Sequence, residues 1–248
     1  MNIIADTHTH TIASTHAYST LEEMVHAAAR KKLYAIAITD HGYRMPGAPG
    51  RWYFENMRVI PHYMEGVLVL HGQETNIIDM DGGVDLEPDC ADTLDWIVAS
   101  IHDVAFPCEK PTVEAITNVW MNIAKNPHIH VIGHSGTKEY AYDFETVIPE
   151  FGRTGKLVEL NEGSFTGRKK SIPNCKKIME LCKKHSVPII LNTDSHISAT
   201  VGCFEHSLAL LKELDFPEEL VVNASTDRFH AYLKEHSAIK NDPIFQSK

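Results

Sequence analysis

The sequence has no long apolar run, no cysteine framework and no excess of positive charge, and each absence excludes a class of protein. No stretch approaches the roughly 20 apolar residues of a membrane-spanning helix, and the N-terminus lacks the basic and apolar regions of a secretory leader. Cysteine occurs at positions 90, 108, 175, 182 and 203, an odd count without a Cys-x-x-Cys pair. That pattern argues against a disulfide scaffold and a thiolate zinc site and fits a reducing compartment. A cytoplasmic protein is expected. The formal net charge is -10 with histidine neutral. No basic stripe interrupts that field, so long nucleic acid is a poor partner, whereas bound divalent cations would let a small anionic substrate approach.

What is present reads as one globular unit. A hydrophobic fraction of 43% and a charged fraction of 23% exclude disorder, and 248 residues suit a single domain spanning 1–248. Sixteen histidines are the strongest compositional signal. The first of them lie in Asp6-Thr7-His8-Thr9-His10, with His16 shortly after, next to a short buried strand expected over Asn2 to Ala5. A His-x-His pair on extended backbone puts two imidazoles on one side, which is metal-ligand geometry. The pattern of an apolar run followed by a metal-capable side chain recurs along the chain. Ala35 to Thr39 precedes Asp40-His41, Val67 to Leu70 precedes Glu74, and Trp96 to Ile101 precedes His102. Ile129 to Gly133 precedes His134, and Val187 to Thr193 precedes Asp194-Ser195-His196.

Between these runs lie helical patterns. Thr20-Leu21-Glu22-Glu23 offers a capping box for a helix reaching Lys32, Thr112 to Lys125 and Asn174 to His185 carry apolar stripes, and Glu205 to Leu214 and Thr226 to His236 are expected as further helices. Lys156 to Leu160 adds a strand, and Leu220 to Val222 a last extended piece. Gly42 to Arg58 reads as a loop over a mouth, and Asn76 to Leu86, with Asp81-Gly82-Gly83, as a hairpin. Continuously apolar strands alternating with helices imply a parallel sheet buried on both faces. Seven such units, with chemistry at every strand's C-terminal end, predict an α/β fold that closes as a TIM-like barrel rather than an open sheet with one switch point.

His8, His10, His16, His41, Glu74, His102, His134, Asp194 and His196 make nine candidate ligands. A catalytic zinc takes three protein ligands and keeps one position open, so nine point to three divalent ions. Imidazole-rich sites suit Zn2+ first, with Mn2+, Fe2+ or Co2+ as the other candidates. Asp6 and Asp40 lie within two residues of candidate histidines and are expected to fix an imidazole or to move a proton, the former weighted higher. Arg44 and Arg51 in the loop, and Arg168, are candidate phosphate clamps. Trp52, Tyr53 and Phe54 are either a substrate lid or the loop's own packing. The histidines at 26, 62, 71, 128, 130, 185, 206, 230 and 236 read as ordinary structural residues, and Cys175 and Cys182 as core.

The motifs Asp6-Thr7-His8-Thr9-His10, Thr39-Asp40-His41-Gly42, the Gly72-Gln73-Glu74 turn, Ile101-His102, Gly133-His134 and Asp194-Ser195-His196 resemble the PHP (polymerase and histidinol phosphatase) family. The likeness is greatest to its stand-alone bacterial phosphatases of the YcdX type. The resemblance covers nearly the whole chain and implies a distorted (β/α)7 barrel with a trinuclear metal centre at the strands' C-terminal ends. By motif, His8, His10, Glu74 and Asp194 would hold one ion, His16, His41 and His196 a second, and Glu74, His102 and His134 a third, with Glu74 bridging. Such a centre implies a metal-dependent phosphatase that uses metal-bound hydroxide on a small phosphomonoester. The alternatives are a phosphodiesterase or exonuclease on the same fold, an amidohydrolase, and a metal-binding module without turnover. No membrane partner is expected, and a homo-oligomer is left open.

Overall fold

The computed structural model describes residues 1–246. Its first half runs β1 (Ala5–Thr9), α1 (Leu21–Arg30), β2 (Ala35–Ile38), α2 (Arg51–Glu55), β3 (Tyr63–Met64), β4 (Val67–Asn76), α3 (Pro88–Ala91), β5 (Trp96–Ser100) and α4 (Val113–Lys125). The second half runs β6 (Val131–Ile132), α5 (Phe144–Arg153), β7 (Leu157–Asn161), α6 (Gly163–Thr166), α7 (Ile172–His185), β8 (Ile189–Asn192), α8 (Glu205–Glu213) and α9 (Thr226–His236). Strands β1, β2, β4, β5, β6, β7 and β8 pair in that order, all parallel, while β3 folds back antiparallel on β4. Among the described residues no helix is long and apolar enough to cross a membrane.

Alternation along the strands builds two apolar layers. Ala35, Ala37, Leu68, Leu70, Trp96, Val98, Val131 and Leu157 fill the inside with Phe229 and Leu233 of α9, whereas Ile36, Ile38, Val69, Ile97, Ala99 and Val158 pack outward under the helices. Residues buried on both sides of a sheet explain the continuous apolar runs of the sequence. The ring closes between β1 and β8 by a side chain. The buried Asn223 amide donates to the carbonyls of Ala5 and Leu191, and its Oδ1 accepts from the Leu191 N–H. Further up the seam, the His10 N–H donates to the Ser195 carbonyl at 2.8 Å. The result is a parallel sheet nearly closed into a barrel.

Several boundaries differ from those expected. The first strand is not Asn2 to Ala5 but Ala5–Thr9, so the polar motif is itself the strand. Its hydroxyls are satisfied internally, Thr7 Oγ1 donating to Asn192 Oδ1 at 2.8 Å and Thr9 Oγ1 to the Ala37 carbonyl at 2.7 Å, which makes burial tolerable. Gly72-Gln73-Glu74 is not a turn but the middle of β4, a ten-residue strand. The segment 42–58 contains α2 followed by a 3-10 turn over Asn56–Val59. A helix that hydrophobic spacing did not reveal, α5, precedes β7, capped by Asp143 accepting from the Thr146 N–H and buried through Val147, Ile148 and Phe151. Pro149 and Gly152 inside it obscure its pattern. The hairpin after Glu74 is present, with Ile77 bridged to Val84 and Gly82 at φ +81°.

Candidate metal centre

Parallel strands deliver their C-terminal ends to one rim, and the residues there converge on Glu74. Its Oε1 lies 3.2 Å from His8 Nε2, 3.3 Å from His102 Nε2 and 3.1 Å from His134 Nε2. Its Oε2 lies 2.7 Å from His41 Nδ1 and 3.5 Å from His10 Nε2. Asp194 Oδ1 stands 3.2 Å from His10 Nε2, 3.6 Å from His8 Nε2 and 3.7 Å from His196 Nδ1. His16, more exposed, completes the rim with Nε2 at 2.9 Å from His196 Nε2 and 3.4 Å from His41 Nε2. All nine candidate ligands are brought together. Two of them sit at positive φ, His134 at 25° and Asp194 at 57°, backbone that the chain adopts only where its surroundings hold it.

Three of these rings, His8, His102 and His196, direct Nδ1 away from the cluster. Asn76 Nδ2 donates to Asp85 Oδ2, so its Oδ1 is the acceptor for His102 Nδ1–H at 2.8 Å, leaving the Nε2 lone pair facing Glu74. His196 Nδ1 likewise donates to the Asp194 carbonyl at 2.8 Å. His8 Nδ1 meets Glu159 Oε1 at 2.7 Å. Among the described residues, buried His8 Nε2, His10 Nε2, His41 Nδ1 and Glu74 Oε2 face one another without a well-directed hydrogen bond. Buried polar atoms left so are rare unless another group satisfies them. Inward lone pairs, outward N–H groups and two shared carboxylates fit divalent cations. Three overlapping groups lie close enough to share an ion: His8, His10 and Asp194; His10, His41 and His196; and His41, Glu74 and His102.

The site's electrostatics follow from burial and charge pairing. Burial resists ionisation of Glu74 and Asp194, but His8, with His102 and His41 for Glu74 and with His10 and Arg168 for Asp194, holds both well below the usual carboxylate range. Burial also resists charge on His8, yet Glu159, Glu74 and Asp194 raise it. Burial and the neighbouring His41 lower His10, and burial with Arg168 lowers His134. Burial and like-charged neighbours thereby bias His10, His16 and His134 toward the neutral form that ligates metals, while Glu74 and neighbouring carboxylates raise His8 and His41 against the effect of burial.

The remaining candidates divide. Asp6 is fully buried, accepts from the Thr193 N–H and hydroxyl and from the Gly202 N–H, and is pushed up to about 6 by burial. It braces the loop that carries Asp194. Asp40 accepts from the Thr11 N–H and hydroxyl, the Ser14 hydroxyl and the Tyr53 phenol. Ser14 Oγ in turn lies 3.4 Å from His10 Nδ1 and accepts from the His41 N–H. Tyr53 thus has a structural task, while Trp52 is 84% exposed and Phe54 is buried. Arg168 Nη2 donates to Asp194 Oδ2 at 3.0 Å and Asn161 Oδ1 at 2.9 Å. The other two arginines are not brought to the cluster. Arg51 pairs with Glu55 and Asp89, and exposed Arg44 has its guanidinium 5.9 Å from the Tyr43 ring.

Sequence reasoning missed Glu159. Both its oxygens are used, Oε1 by His8 Nδ1 and Asn192 Nδ2, Oε2 by the His134 N–H and Asn161 Nδ2. A carboxylate within an otherwise apolar strand was the one available signal.

A family model of the PHP domain matches residues 6–163. The chain belongs to the PHP domain family. Asp194 and His196 lie beyond the matched stretch, and the fold returns them to His8 and His10 within the same PHP rim. A probable phosphatase of Acetivibrio thermocellus is 45% identical over 94% of this chain and 96% of its own length. Another, from Clostridium novyi, is 41% identical over 97% and 98%. Among solved structures, the histidinol phosphate phosphatase of Lactococcus lactis, crystallised with zinc, L-histidinol and phosphate, aligns with a TM-score of 0.60. The alignment covers 88% of this chain and 95% of that one at 16% identity, and it bears on the fold alone.

Proposed function

We propose that this PHP protein hydrolyses a small phosphomonoester with three divalent ions, zinc first among them, held by His8, His10, His16, His41, Glu74, His102, His134, Asp194 and His196. That it is a phosphatase, a hydrolase of phosphoric esters, follows from family membership and from relatives of matching length that carry that name. The observation that carries the finer reading is Glu74, one buried carboxylate facing five imidazole nitrogens. When bound, the ions supply charge neutralisation and an acidified water.

The chain's own residues do the rest. Glu74 spans two groups of ligands and fixes their separation. Arg168 borders a cavity of about 550 Å³ that His102, His134, Ile101 and Tyr140 also line. That volume suits a small phosphorylated molecule rather than a polymer. From there the Arg168 guanidinium, oriented by Asp194 and Asn161, presents its remaining N–H groups to phosphoryl oxygens. Asp6 and Asp40, enclosed by their donors, act as positioning residues. The zinc and phosphate of the Lactococcus lactis structure accord with this chemistry.

The test is His102→Ala, which removes one arm of the Glu74 group without touching the barrel core. Phosphate release from a phosphomonoester is expected to fall at least about a hundredfold, the scale of a lost transition-state stabiliser. Near-normal turnover with undiminished metal content would contradict the assignment.

A further inference from the structure

A second histidine group lies away from the rim. Asp95 immediately precedes β5, whereas His102 follows it, so the two mark opposite ends of one strand. Around Asp95 stand His62, from the turn before β3, and His71, on β4. Its Oδ2 lies 3.0 Å from His62 Nε2 and 3.7 Å from His71 Nδ1. The backbone fixes this oxygen. The His71 N–H donates to it at 2.9 Å, and the Asp95 N–H donates to the His71 carbonyl at 2.8 Å.

We propose that His62, His71 and Asp95 form a separate binding site for a divalent cation of the zinc class, with Asp242 as the outer carboxylate that orients His62. The spacing carries the proposal. Two ligands each about 2 Å from one tetrahedral ion stand about 3.3 Å apart, and the observed 3.0 and 3.7 Å bracket that separation. His62 Nδ1 faces Asp242 Oδ2 at 2.7 Å, so its proton is used there and the Nε2 lone pair points at the group. A carboxylate behind a ligating imidazole is the usual support of a metal-bound histidine.

Burial argues the same way. His71 and Asp95 are 5% and 3% exposed, so both are withdrawn from solvent. The His62 and His71 rings stack at 4.2 Å and 20°, much as His10 and His196 do within the rim at 4.2 Å and 26°. An ion there would tie β4 and the start of β5 to the segment that carries His62 and, through Asp242, to the segment that follows α9.

The test is a count of zinc. Chelator-stripped full-length protein is incubated with zinc alone, gel-filtered and analysed for metal per chain, wild type beside His62→Gln. The wild type should retain one equivalent more, with phosphate release equal in both. Because the readout is a difference, it stands whatever number of ions the rim holds. Equal zinc in the two proteins would overturn the proposal and leave His62 as a protonated bridge between Asp95 and Asp242. Should His62→Gln fail to fold, Asp242→Asn decides. Its last zinc equivalent should bind about tenfold to a hundredfold more weakly, and unchanged affinity would overturn the proposal.

Discussion

Glu159 accepts four hydrogen bonds inside the barrel, two of them from His8 and from the backbone of His134. An amide in its place must turn an NH2 group toward two of those donors, so either His8 or the His134 backbone loses its acceptor. Glu159→Gln is therefore expected to lower metal affinity about tenfold to a hundredfold, read by competition with a chromogenic chelator. Unaltered affinity would sink its positioning role. His130 shows the opposite use of burial. Its Nδ1 accepts from the Ile97 N–H and its Nε2 donates to the His236 carbonyl, which fixes a neutral ring stacked on Trp96 at 5°. Burial lowers it from 6.5 to about 4. Between those values the unfolded chain binds the extra proton, so this stability is full above pH 6.5 and is lost as pH falls toward 4. The difference corresponds to about 3 kcal/mol. His130→Gln should flatten the pH dependence of the unfolding free energy across that window; an unchanged slope would contradict this account.

At the scale of elements, β4 carries the centre because it passes close to its neighbour. A Cβ on Gly72 would stand 2.5 Å from the Trp96 carbonyl oxygen and 2.8 Å from Thr39 Cγ2. Neither can withdraw without breaking the pairing that positions Glu74 against His41. Gly72→Ala should lose about 1–3 kcal/mol, seen as a lower urea midpoint at unchanged slope. An unmoved midpoint would mean that the strand can shift. The rim residues were legible in the sequence because each is local, a polar side chain closing an apolar run. Glu159 was not, because its partners His8 and Asn192 lie 151 and 33 residues away. The extent of β1 was hidden for a related reason. Thr7 and Thr9 look like a loop until Asn192 and Ala37 are known to receive their hydroxyls. Helix α5 was masked by Pro149 and Gly152, which weaken the pattern while tertiary burial of Phe151 sustains the helix.

For the molecule as a whole, the alternation of continuous strands with helices sufficed to indicate a closed parallel sheet. How it closes did not follow from the pattern, because the amide of Asn223 links β1 to β8 from just beyond the extended piece expected over Leu220 to Val222, in a 3-10 turn over Val222–Ala224. The two apolar layers lie apart from the rim, so metal removal is expected to abolish turnover while leaving the barrel folded by circular dichroism. A purely structural metal module would instead unfold. The most direct measurement is phosphate release from a phosphomonoester and from a matching phosphodiester, using full-length protein supplied with zinc or manganese and a chelated control. The account predicts chelator-sensitive release from the monoester alone. Turnover of the diester, or none of either by metal-filled protein, would contradict it.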